Sequence, residues 1–343
     1  MKYDVIVLGS GPAGTAAAIT CHQAGLQSAL VTSGKKASVT EANPVQSIHP
    51  GVVTLLQELG LEDTLEGSTR SSFESIQVNG KTNPLNPYNN EAWYGHHLNR
   101  HLWDKALLNH LDHLPLDLFT DTTVNKITRG TDSIIEVFIN PKTKIQGKYL
   151  IDASGYRRIS RHFLKLDEIF LTHPMTCWTG RSRSSKRHDI STSFTMNKNG
   201  WTWLAPESEN IVTWNTLRVD KGLAPNDLLP DLEPVGKATA HNVRWRVFRP
   251  ICDQQVLLCG DAAGILDPAA GQGILSALLS GIKAGQCLNE CNSNPEQEVF
   301  FFAMYDQWFI SQFEQKVEDL ANYYKVADIS ILLHHQEDTI TTS

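Results

Sequence analysis

The chain has 343 residues, 41% of them hydrophobic, and a formal net charge of −7 at pH 7, enough apolar material for one large core or two moderate ones. Its mild acidic excess argues against a nucleic-acid surface, which needs clustered Lys and Arg, and leaves small molecules or another protein as partners. No uninterrupted apolar run reaches the roughly 18 residues of a membrane span, and residues 1–15 read as a strand and a glycine turn instead of a charged leader; no membrane span and a cytoplasmic location are expected.

Residues Tyr3 to Leu8, mostly Val, Ile and Leu, read as a strand covered on both faces of a parallel sheet. It runs into Gly9-Ser10-Gly11-Pro12-Ala13-Gly14 and then a helix over Thr15 to Gln23, closed by Gly25. A strand, GxGxxG and a helix in that order form a dinucleotide-binding context. Gly9 permits the tight turn, Gly11 lets backbone approach a pyrophosphate, Gly14 allows close helix packing, and the helix N-terminus supplies positive potential. A purely structural glycine turn is the competing reading. The second strand, Gln27 to Val31, should end in an acidic residue that grips ribose hydroxyls, but Thr32 and Ser33 stand there. Neutral hydroxyls forfeit the charge-assisted bond, roughly twice as strong, so a weakened hold is expected.

Further along, Arg100 and Asp104 lie four apart on a predicted helix, the spacing of an exposed ion pair. The stretches "TVNKITRG", "IIEVFIN" and "IQGKYLIDA" between Thr123 and Asp152 read as a meander with turns at Gly130-Thr131-Asp132 and Asn140-Pro141. From about 162 to 250 come short strands, "ISTSFTM", "GWTWLAP", "IVTWNTL" and "VRWRVFRP", assigned to one small sheet that roofs the site. The buried strand Val256 to Cys259 runs into Gly260-Asp261, whose carboxylate can accept a bond from a ribose or ribityl hydroxyl. Asp267-Pro268 and Gly271-Gln272-Gly273 then lead into a helix over Ile274 to Ala284, whose free N–H groups can meet a carbonyl or a negative charge. A strand–turn–helix with Gly for packing is the plain alternative. The remainder from near Pro295 reads as helical, with Phe300, Phe301, Tyr305, Trp308, Phe309 and Phe313 as core, and residues 336–343 as a disordered polar tail.

Six cysteines (Cys21, Cys177, Cys252, Cys259, Cys287 and Cys291) follow no paired framework and read as buried reduced thiols. The thirteen histidines form no spaced ligand set, so no metal is expected, and His334–His335 read as solvated. The sequence contains no internal repeat.

Three distant segments join the glycine turn in a fixed order. "LNRHLWDKALLNHL" (98–111) resembles the RxxFDxxLL helix of FAD-dependent monooxygenases of the aromatic-hydroxylase superfamily, "YLIDASGYRRISR" (149–161) resembles their second flavin segment, and "VLLCGDAAGILDPAAGQGILSALLSG" (256–281) their third. The resemblance implies FAD as cofactor. It implies an α/β fold, with a discontinuous Rossmann-like FAD-binding domain over 1–70, 95–161 and 250–290. An inserted, mainly-β substrate domain would occupy 71–94 and 162–249, with C-terminal helices and a tail over 291–343. It also implies a set of FAD contacts: Gly9, Gly11, Pro12, Ala13, Gly14, Thr32, Ser33, Arg100, Asp152, Gly155, Gly260, Asp261, Pro268, Gly271, Gln272 and Gly273. The DASG form departs from the DGxxS of hydroxylases that use NADPH directly and argues against such use here.

"GWTWLAP" (200–206) resembles the WxWxxP motif of flavin-dependent halogenases and the related motif of geranylgeranyl reductases. Trp201 and Trp203 would project to one strand face, with Trp203 either walling the flavin from water or, with Trp201, simply stabilising the sheet. Halogenases need a lysine to carry hypohalous acid; Glu74 falls at that place in "GSTRSSFESIQV", and a carboxylate cannot do that work, so halogenation is not expected. "QSIHPGVVTLLQELGL" (46–61) resembles the loop and helix against the isoalloxazine, with Val45-Gln46-Ser47 where Gly-Glu-Ser usually stands. His49 is then either an acid or base beside the flavin or a cap on the turn before Pro50, with His96 and His97 as weaker candidates.

Taken together, the chain resembles the flavoproteins that modify a protein tryptophan in making cysteine tryptophylquinone. The resemblance implies an FAD-dependent monooxygenase acting on a partner oxidase precursor. Two alternatives stay open: an FAD-dependent hydroxylase or reductase of a small aromatic or lipid, and a non-catalytic flavoprotein-like escort of a precursor protein.

Overall fold

The computed structural model describes residues 1–34, 44–86, 88, 93–131, 134–140, 143–184, 191–219, 232–253 and 255–332. The expected tail and His334–His335 lie outside them.

The first strand, Lys2–Leu8, forms the centre of a mostly parallel sheet, in the order Cys252–Asp253, Val256–Leu258, Thr143–Asp152, Lys2–Leu8, Ser28–Val31, Asp117–Phe119. Its period-2 alternation explains its uniform apolarity. Val5 and Val7 face one buried cluster, with the helices; Ile6 and Leu8 face a second, built on the meander strands Val124–Arg129 and Ile135–Ile139.

The helix after the glycine turn, α1 (Pro12–Gln23), begins three residues before the expected Thr15. Proline fits the first helical position, where its missing N–H is no loss, and Gly11 is the extended N-cap, which carries the helix back into the turn. The next helices are α2 (Gly51–Glu58), α3 (Arg100–Asp112), capped by the Asn99 side chain, and the single turn α4 (Arg161–Leu164). The helix of the third segment, α5, runs from Gly273 to Ser293, well past the expected Ala284, because Leu288 and Cys291 continue its buried face. It crosses α1 at backbone distance: a Cβ on Gly281 would stand 2.1 Å from the Ala13 carbonyl oxygen.

A second, mainly antiparallel sheet runs Leu232–Pro234, Thr176–Ser184, Ile211–Arg218, Gly200–Pro206, Ser193–Asn197, Ser75–Val78, Lys81–Pro84. "VRWRVFRP" does not belong to it, contrary to the sequence reading. Its strand, Arg246–Arg249, pairs with Asp167–Phe170 and Gly264–Ile265 in a separate three-stranded sheet. Alternation explains the error: the composition suits a roof strand, but the Trp245 indole donates to Asp267 (2.6 Å), which ties this segment to the third flavin segment.

The C-terminal helix α6 (Glu298–Val326), about 43 Å long at 1.5 Å per residue, joins both halves. Phe302, Tyr305, Phe309 and Phe313 pack with the helices under the parallel sheet, while Leu320 and Tyr324 pack with Trp201 of the roof and with Trp245. Phe300 is exposed and is not core, because it lies on the outer side of α6. All six cysteines are buried and free. No described helix is long and apolar enough to cross a membrane.

Candidate functional site

The carboxyl edge of the parallel sheet gathers the glycine turn, the DASG segment and the GD segment, because their strands are neighbours: Thr143–Asp152 flanks Lys2–Leu8, and Val256–Leu258 flanks Thr143–Asp152. In open α/β sheets ligands lie outside that edge. Gly9 (φ +102°) is packed so closely that a Cβ would lie 2.5 Å from the Ala153 carbonyl oxygen, and one on Gly14 would overlap the Gly9 carbonyl oxygen. Gly11 differs, since a Cβ there would meet only the Arg100 guanidinium, 3.8 Å away. Backbone at Gly11 is therefore open to a ligand. At Gly271 and Gly273 nothing lies within 4 Å, and among the described residues no side chain caps α1 or α5. Both N-termini thus offer unpaired N–H groups toward the cleft. These features fit the pyrophosphate and the flat ring of FAD.

Arg100 makes the ion pair its spacing predicts. Its Nε donates to Asp104 (2.8 Å), its Nη1 to Gln46 (2.8 Å), and the same guanidinium stands beside Gly11. Asp261 is exposed, yet burial pushes its carboxyl up from the usual carboxylate range, opposed by Arg100 and Arg246.

Asp152 is placed differently from a free ligand contact. Its Oδ1 accepts from the Ser154 N–H (2.9 Å) and its Oδ2 from the Ser160 N–H (2.7 Å) and hydroxyl (2.6 Å), so the fully buried carboxylate holds its own turn together. Gly155 follows in a left-handed conformation (φ +63°). At the far end, Thr32 Oγ1 bonds with Ser10 Oγ (2.9 Å) and accepts from the Gly34 N–H, and Ser33 Oγ accepts from Arg157 (2.8 Å).

His49 accepts a bond from the Gly51 N–H at Nδ1 (3.0 Å), so it does cap the start of α2, and burial lowers its pKa. Trp93, half exposed, lies edge-on to it with centroids 6.1 Å apart, and Tyr94 is exposed next to it. Trp201 and Trp203 share a face, each near Phe194, but anchor to different places: Trp201 donates to Tyr324 Oη (2.8 Å), Trp203 to Ser47 Oγ (2.9 Å). Ser47 in turn bonds His97 Nδ1 (2.8 Å), whose Nε2 meets Thr192 Oγ1 (2.8 Å), with Phe73 stacked on the imidazole at 4.5 Å. Burial, with His96 beside it, pulls His97 down to about 3, so its ring is neutral at physiological pH. His96 bonds Ser72 and is also lowered by burial. Glu74 is exposed at the junction between Thr69–Phe73 and Ser75–Val78.

Three groups escaped the sequence reading. Arg158, Arg161 and Arg246 all converge on Glu168, and Arg246 does so by proximity (3.1 Å) without an aligned hydrogen bond. Lys316 on α6 rests on Ser276 Oγ in the first turn of α5 (2.5 Å). Arg157, on the DASG turn, reaches Ser33. The Arg246, Lys316 and Arg157 contacts join residues far apart in the chain, and only the arginine-rich "YRRISR" gave a local signal.

Among relatives of known activity, the chain is 21% identical to a 1H-pyrrole-2-carbonyl-[peptidyl-carrier protein] chlorinase of Pseudomonas fluorescens, over 94% of this chain and 84% of that one. It is 24% identical to digeranylgeranylglycerophospholipid reductase 1 of Methanococcoides burtonii, over 92% and 81%. Its fold matches the flavin-dependent halogenase CmlS with a TM-score of 0.79 at 18% identity, over 95% of this chain and 65% of that one. The peptidyl tryptophan dihydroxylase QhpG, essential for tryptophylquinone cofactor biogenesis, matches with a TM-score of 0.69 at 19% identity, over 91% and 72%. Residues 2–218, more than half the chain, match the model of the FAD-binding domain family. The chain belongs to that family, is an FAD-dependent oxidoreductase, and uses FAD as its cofactor.

Proposed function

We propose that the protein is an FAD-dependent monooxygenase that hydroxylates a tryptophan side chain of a partner oxidase precursor during formation of a quinone cofactor. The observation that carries this reading is an exposed aromatic edge: Trp93 stands half exposed against His49, and its chain neighbour Tyr94 is exposed as well. An exposed, amphipathic aromatic edge suits a polypeptide that docks and inserts one indole. The likeness in fold to QhpG supports it.

FAD, when bound, supplies the redox and oxygen chemistry, and the protein supplies binding, orientation and exclusion of water. In this reading Gly11, Arg100 and Asp261 would hold the pyrophosphate and ribityl chain, and the α5 N-terminus would favour negative charge on the bound flavin. Trp203 is held upright by Ser47, and Ser47 by the neutral His97, so the indole forms a fixed wall. His49, with Nδ1 committed to the Gly51 N–H, can donate only from Nε2, which restricts it to offering one hydrogen bond to a docked substrate.

The test is to incubate the FAD-loaded protein with reductant, air and the precursor polypeptide of a tryptophylquinone-dependent oxidase. Oxygen mass on a tryptophan peptide is the expected result. An unmodified precursor, together with hydrogen gain by an isoprenoid lipid, would replace this reading with the reductase one suggested by the Methanococcoides relative.

A further inference from the structure

The strand Lys2–Leu8 lies between Thr143–Asp152 and Ser28–Val31 in the sheet. A contact between the residues that follow the two outer strands therefore has to cross above the glycine turn. Arg157, five residues past Asp152, makes that crossing: its Nη1 donates to Ser33 Oγ, two residues past Val31, at 2.8 Å. Beneath it, Ser10 Oγ and Thr32 Oγ1 form a second link at 2.9 Å. This is where the adenosine ribose of a dinucleotide rests, and where an acidic residue ordinarily accepts from the 2′-hydroxyl and repels a phosphate. Here the acid is replaced by two hydroxyls and an exposed guanidinium that is free of any carboxylate partner among the described residues. Asp121 in the adjoining turn donates its backbone N–H to the Gly34 carbonyl oxygen (3.0 Å).

We propose that Arg157, with Thr32 and Ser33, makes the adenosine end of this site phosphate-accepting, so that adenosine nucleotides bearing a ribose 2′-phosphate bind there and compete with FAD. A guanidinium presents a planar fork of donors that matches phosphate, and the hydroxyls add neutral donors to the same oxygens. An acidic clamp would produce the opposite preference. The inference rests on the FAD reading of the site.

The experiment is competition against FAD bound to the purified full chain, followed by flavin fluorescence, with 5′-AMP and 2′,5′-ADP as probes that differ only in the 2′-phosphate. In the wild type, 2′,5′-ADP is expected to displace FAD at about tenfold lower concentration than 5′-AMP. In Arg157→Gln that advantage should shrink to about twofold or less, and in Asp121→Asn it should persist or grow. Equal potency of the two probes, or an advantage that survives in Arg157→Gln, would overturn the proposal. Direct titration of the apo-protein with FAD separates the two readings: failure of FAD to bind removes the cofactor reading, whereas FAD binding without 2′-phosphate preference removes only this inference.

Discussion

The two ends of the site are built by opposite means. At the phosphate end, backbone does the work: Gly9 and Gly14 are closed against carbonyl oxygens, Gly11 is open, and α5 approaches the α1 backbone at Gly281. At the roof, three indoles do it, each anchored by a hydrogen bond from its N–H: Trp201 to Tyr324, Trp203 to Ser47 and Trp214 to Ser182, while Trp245 of the neighbouring small sheet is tied to Asp267 in the same way. Where its glycines are closed, the first design leaves no tolerance for an added atom. The second tolerates a change of shape so long as the donors remain satisfied.

This contrast can be broken first at Gly281. A Cβ there would collide with backbone at 2.1 Å, so Gly281→Ala should lower stability by about 3 kcal/mol or more, read from urea unfolding. Gly11→Val adds more atoms but places them in the cleft. It should weaken FAD binding about a hundredfold while the apo-protein keeps its Tm.

At the roof the sharpest handle is His97, fully buried and lowered from 6.5 to about 3. Because the unfolded chain takes up the proton first, the contribution of this residue is present above 6.5 and lost as pH falls toward 3. The loss is about 1.4 kcal/mol per pH unit, or roughly 2 kcal/mol near pH 5. His97→Gln should remove that part, so the fall in Tm between neutral and mildly acidic buffer becomes smaller. Trp203→Phe removes the donor to Ser47 together with part of the ring packed against Phe73 and Phe194, and should cost about 1–3 kcal/mol in thermal unfolding with little change in FAD affinity. Asp104→Asn comes last, at a few tenths of a kcal/mol in stability, since the ion pair it breaks with Arg100 is largely solvated.

The same contrast explains what could be read from the chain. The glycine turn, the meander and the GD strand are local patterns whose spacing encodes their geometry, and they lie where the sequence places them. The partners of the indoles are separated from them by long stretches: 123 residues between Trp201 and Tyr324, 156 between Trp203 and Ser47. No periodicity reports such pairings. The misplaced strand Arg246–Arg249 and the buried His97 both belong to this class, as does Arg157, whose target is visible only once the sheet order is known. Asp152 shows the converse, a motif residue correctly located whose carboxylate is spent on its own turn.

The most direct test of the account is a reaction under isotopically heavy dioxygen, with the FAD-loaded protein, a reductant and the precursor polypeptide, followed by peptide mass spectrometry. The account predicts heavy oxygen in a single tryptophan-containing peptide, lost in Gly11→Val. Reductant-driven flavin turnover with no label in the polypeptide would contradict it.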